Sequence, residues 1–179
     1  NPVCIGNSLG WHCNDFQGSF DEVRLSDTAR DAHWAKASYN NQNNPAAHVS
    51  TGQAEQQGNG WLGDYAYRQA IAISSNATGA DLAGFPALVK TTDSANPAFA
   101  QAKSPQGYDI VFTNGDGVTL LSHNLEHFNN TSGSEQLAAW VNTPLSSSED
   151  SVIYMYYGRI SGAPSTDPSS PATWDDNYR

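Results

Sequence analysis

The stretch YAYRQAIAIS, residues 65–74, alternates large apolar side chains with small or polar ones. A β-strand turns successive side chains to opposite faces, so Tyr65, Tyr67, Ile71 and Ile73 are expected on one face. The same period of two runs through FPALVKT (85–91), YDIVFT (108–113), VTLLSHNLEHF (118–128), LAAWVNT (137–143) and SVIYMYYG (151–158). Turn-forming stretches separate these runs: NATGAD, NGDG, NNTSGSE and PLSSSED. Short strands joined by polar turns predict an all-β, antiparallel β-sandwich over 61–162. One helical turn is expected at NPAFAQAK, and a hairpin turn at Asn114 and Gly115 or at Asp116 and Gly117.

Upstream, a strand is expected near residues 3–5 and another over FQGSFDEVRLS, with Val23 and Leu25 on one face. DTARDAHWAKASYNN follows as a short helix, with Ser26 or Asp27 as N-cap and Asn40 and Asn41 as its stop. Residues 1–52 therefore form a first part. The polar, Gly-rich run at 53–60 is a linker, and the Pro/Ser-rich run at 163–179 is an outgoing linker or a tail along an edge.

Composition narrows the function. Eighteen acidic against eight basic residues give a net charge of −10, with no Lys/Arg cluster to meet phosphates, so nucleic acid is not an expected partner. No 18-residue apolar run exists, so membrane insertion by a helix is not expected. Cys4 and Cys13 close a short loop and are expected to form a disulfide in an oxidising compartment. Aromatic residues are 11% and charged ones 15%, which suits an exported protein that meets glycans or other proteins.

Two stretches resemble known families. Gly18, Phe20, Asp21, Glu22, Val23, Arg24, Leu25, Trp34, Tyr39 and Asn40 resemble the C-terminal end of a laminin-G-like, concanavalin A-like jelly roll. YAYRQAIAI, FPALVKT, GYDIVFTNGDGVTLL, LEHF, AAWVNTPLS, SVIYMYYG and TWDDNY resemble a bacterial domain of unknown function. That domain is found beside such modules in surface and ExbB/TolQ-associated proteins. The resemblance implies a piece of a larger exported, cell-surface or extracellular bacterial protein with a carbohydrate-binding or adhesive role.

Motifs for catalysis are weak. His123, Glu126 and His127 spell H-x-x-E-H, which binds zinc only on a helix. The turn signals on both sides predict a strand, with His123 and His127 on one face and Glu126 on the other. No βαβ pattern that would hold a nucleophilic serine on a strand-to-helix turn is evident, and Asp21 and Glu22 are neighbours on a strand, pointing apart. The expectation is a protein that is not an enzyme. Calcium is the ion best suited to the turn oxygens, with Asn114 and Asp116 as candidate ligands and Asp175, Asp176 and Asn177 as a further run.

Aromatic side chains carry the binding expectation, because sugars present C–H faces that stack on rings. Trp11, Trp61, Tyr154 and Tyr156 are the candidate ligand-binding residues, within a wider set that includes Tyr65, Tyr67, Trp140 and Tyr157. In SVIYMYYG, Ile153, Met155 and Tyr157 share one face and Tyr154 and Tyr156 the other. One face must be core, and the other is free to serve as a platform. The expected partner is a glycan or a cell-surface component. Copies of the chain itself, joined by strand exchange into a filament or array, are the alternative, and a hydrolytic domain ranks below both.

Overall fold

A computed structural model describes residues 25–58 and 61–174. The expected Cys4–Cys13 disulfide, Trp11, the strands before residue 25 and the run Asp175, Asp176 and Asn177 lie outside the described residues. In chain order the elements are α1 (Ala32–Asn43), β1 (Val49–Gln56), β2 (Tyr65–Ile73), β3 (Leu82–Thr91), α2 (Pro97–Gln101), β4 (Val111–Asn114), β5 (Leu120–Leu121), β6 (His123–Asn129), β7 (Gln136–Leu145) and β8 (Ser151–Arg159). The strands form two sheets, ordered β1-β2-β8-β4-β5 and β3-β7-β6, in which every pairing is antiparallel. The all-β architecture expected from the alternation is the one observed.

Alternation decides the core. β2 and β8 pair with Ile71 opposite Ile153 and Tyr67 opposite Tyr157. Their inner faces, with Phe112, meet Phe85, Ala87, Val89, Leu137, Ala139 and Val141 of the other sheet. Each such side chain withdrawn from water stabilises the fold by about 1.5–3 kcal/mol when large. Tyr65 departs from the expected face: its ring packs edge-on against Tyr156, on the far side of the five-stranded sheet.

Two expected boundaries move. α1 is capped by Asp31, whose Oδ1 accepts from Trp34 N at 2.7 Å, rather than by Ser26 or Asp27. Ser26 instead accepts from Thr28 N within its own turn. The helix runs to Asn43, because Asn41 is buried and bonded: its amide spans the outer edge of β3, accepting from Leu88 N and donating to Pro86 O. Asn41 thus stands in for a neighbouring strand at an edge that would otherwise hold unpaired groups. The residues expected as a linker, 53–60, are strand as far as Gln56, because β1 pairs with β2. The first part of the chain and the second share one core, with Ala37 in it and Trp34 edge-on to Phe85 at 5.6 Å.

The run VTLLSHNLEHF is not one strand. It changes sheet at Ser122, with β5 closing the five-stranded sheet and β6 the three-stranded one. Within 163–179, residues 169–174 lie along β6 and β7. Ser169 Oγ accepts from Leu125 N, Ser170 N donates to His123 O, Asn142 Nδ2 donates to Ala172 O, and Thr173 is fully buried.

Asp109 joins the parts at one end. Its buried carboxylate accepts from Lys103 N (2.7 Å), Ser104 N (2.9 Å), Gly158 N (3.1 Å) and Arg159 N (3.3 Å). Gly158 lies at φ +72°, and a Cβ there would sit 2.8 Å from the Tyr67 ring. Asp109→Ala leaves these donors without an acceptor and is expected to destabilise by about 3–5 kcal/mol in denaturant unfolding, with Asp109→Asn losing less.

His123 is buried against Phe112, with Nδ1 3.3 Å from Leu121 O. Its Nε2 makes no hydrogen bond of good geometry, although the Ile110 carbonyl nearby favours the cation. Burial outweighs these contacts and holds the imidazole below its ordinary 6.5. The folded state therefore resists a proton that the unfolded chain accepts, so this contribution to stability is complete above pH 6.5 and declines as the pH falls. The fall in melting temperature between pH 7 and pH 5 should be smaller in His123→Leu than in the unaltered protein.

Candidate functional site

Three of the sequence-predicted binding residues come together on the outer face of the five-stranded sheet. Tyr154 and Tyr156 point away from the core on β8, and Trp61 packs edge-on to Tyr156 at 5.9 Å. Arg68, opposite Tyr156 in the ladder, lies between them. Its guanidinium is 4.4 Å from the Trp61 ring centroid and 4.1 Å from that of Tyr154, with Glu55 at 2.8 Å. Tyr156 is fully buried and donates to Gly117 O at 2.7 Å. A face of Trp61 and a face of Tyr154 are thus already covered by a cation, and Tyr156 is the base of the cluster rather than an exposed platform.

The outer face of the three-stranded sheet is built differently. Its cross-strand rows are Leu88, Trp140 and Asn124, then Lys90, Ala138 and His127. Between these rows β6 carries a β-bulge. Leu125 pairs with Ala139 and His127 with Ala138, so Glu126 is an extra residue with no partner of its own. A bulge of this kind re-aims side chains. It separates the two histidines of the H-x-x-E-H motif: His123 enters the core, while Glu126 and His127 both reach the outer face. The expected arrangement, with the histidines together and the glutamate opposite, is not the one observed.

Glu126 Oε2 accepts from the Trp140 indole at 2.6 Å. The Trp174 ring leans on Trp140, with centroids 5.3 Å apart and planes at 51°. Trp140 is buried and Trp174 half-buried. Together with Gln42 from α1 and Gln136 from β7, these rows line an open pocket of about 480 Å³. Trp140 belonged to the wider aromatic set. Trp174, a lone tryptophan in a Pro/Ser-rich tail, was not singled out, although so large a ring in such a segment is itself a sign of docking. Glu126 and His127 stand in the H-x-x-E-H motif, but their common outward face is set by the bulge, and the row that joins His127 to Lys90 by the pairing of distant strands.

The calcium candidates serve their turn. Asn114 Oδ1 accepts from Gly115 N. Asp116 accepts from the Thr119 hydroxyl and from the Val118 and Thr119 amides, which hold its carboxyl below the ordinary carboxylate range. Among the described residues no group of three or more His, Cys, Asp or Glu converges as a metal site.

Compared with family models, with curated proteins and with solved structures, the chain finds no match in any of the three.

The Arg68 cluster is expected to be structural. Arg68→Met should lower stability by about 1–2 kcal/mol in urea unfolding and shift the Trp61 indole resonance in NMR spectra.

Proposed function

We propose that this chain is a non-catalytic binding or adhesion module of an exported surface protein, and that it holds a saccharide in the pocket beside Trp140. The observation that carries this reading is the pairing of ring and polar edge in one open pocket. The half-buried Trp174 ring offers an apolar surface to the C–H face of a sugar, and Trp140 supports it from beneath. Gln42, Asn124 and Gln136 supply amides, each able to donate to one hydroxyl and accept from another. A volume of about 480 Å³ falls in the range of small-ligand sites.

The chemistry of the pocket favours binding over hydrolysis. Glycoside hydrolysis uses two facing carboxyl groups. Among the described residues lining the pocket Glu126 is the one carboxylate, and it is engaged by the Trp140 indole. Such a group holds a ring in place and accepts from a hydroxyl with its second oxygen.

A saccharide array followed by calorimetry tests this. The unaltered chain should bind a subset of glycans without cleaving them. Trp174→Ala should weaken that binding by about tenfold or more. Arg68→Met, on the opposite sheet, should leave it unchanged. Binding that survives Trp174→Ala but is lost on Arg68→Met would move the site to the other face.

A further inference from the structure

The pocket has a chemical polarity of its own along β7, and this inference rests on its being the saccharide site. At one row stands the Trp140 ring with Glu126 fixed to its indole. At the next row Ala138 lies between Lys90 on β3 and His127 on β6. Strands two apart have backbones roughly 9–10 Å apart, and the alanine between them fills little of that width. The result is a notch, floored by a methyl group and flanked by an ammonium and an imidazole, directly beside the tryptophan pair.

Lys90 and His127 are both exposed, and among the described residues neither side chain has a hydrogen-bond or ion-pair partner. Lys90 is one of eight basic residues in a chain of net charge −10. Where other described cations are used structurally, they are paired: Arg68 with Glu55, and Arg159 with Asp64. An unpaired lysine in a pocket with a histidine across from it is set up to take an anion. The carboxylate of Glu126 does not fill that role, because its hydrogen bond holds it on the Trp140 side.

We infer that the pocket selects an acidic sugar, a uronic acid or a related carboxylated residue. Its ring lies against Trp174, and its carboxylate sits in the notch over Ala138 between Lys90 and His127. Lys90 gives the charge-assisted bond and His127 donates a ring N–H, while Gln42, Asn124 and Gln136 read the hydroxyls.

Calorimetry or NMR titration with methyl glucuronide and methyl galacturonide, each against its neutral methyl glycoside, tests this. The uronides should bind about tenfold tighter, with an affinity that falls as salt rises. Lys90→Gln should bring uronide affinity down to that of the neutral sugar and leave the neutral sugar unaffected. Ala138→Leu should fill the notch and remove the preference with both charges still present, a result that loss of charge cannot mimic. Equal binding of uronide and neutral glycoside, still abolished by Trp174→Ala, would overturn the acidic preference and leave the saccharide pocket standing. Binding of acetate as tight as that of the uronides would overturn it in favour of a plain anion site. No binding of either sugar would remove the saccharide reading and this inference together.

Discussion

Asp109 holds four backbone N–H groups on one buried carboxylate, two from the loop before β4 and two from the end of β8. Those two segments are about fifty-five residues apart in sequence. β8 is the central strand of the larger sheet, paired with β2 on one side and β4 on the other. It must bury both faces, with Ile153, Met155 and Tyr157 inward and Tyr156 outward. A strand with so little freedom needs its end fixed, and Asp109 fixes it where Gly158 allows the chain to pass close to Tyr67 and Gln101. The register of β2, and through it of β1, follows from that placement.

The two sheets answer the problem of their outer faces in different ways. On the larger sheet, Trp61, Tyr154 and Tyr156 gather around Arg68, and Tyr65 packs edge-on against Tyr156. The cation lies over the negative faces of the Trp61 and Tyr154 rings. On the smaller sheet, the cover is partial. Residues 169–174 bring Trp174 onto Trp140, and α1 brings Gln42 to the rim, and among the described residues the rows beyond line an open pocket. The pocket is therefore a consequence of how three separate segments close over a narrow sheet. None of those segments forms it alone.

The bulge at Glu126 gives that face its chemistry. Without it, strict alternation would have sent either Glu126 or His127 toward the core. With it, the apolar Leu125 and Phe128 both pack inward and the two polar residues between them both face out. The hydrophobic demand for Leu125 and Phe128, three positions apart, is met only by one extra residue in the strand.

The sequence by itself determined the fold class. The alternation of β2, β3, β7 and β8, the helical turn at α2 and the polar turns between strands are local signals, and local physics is enough to realise them. It pointed to Trp61, Tyr154 and Tyr156 as a ligand platform, but not to Arg68 on a neighbouring strand, which lies over the Trp61 and Tyr154 rings, nor to the burial of Tyr156. Only the tertiary structure decided the rest. Asn41 extends α1 because it serves the edge of β3, forty-odd positions away. The 53–60 stretch is strand because β2 offers an edge. Lys90, Ala138 and His127 form one row because β3 and β6 flank β7. A residue pattern fixes which way a side chain points relative to its neighbours. Which strands stand side by side depends on burying both sheets against each other, and that free energy is shared by the whole chain.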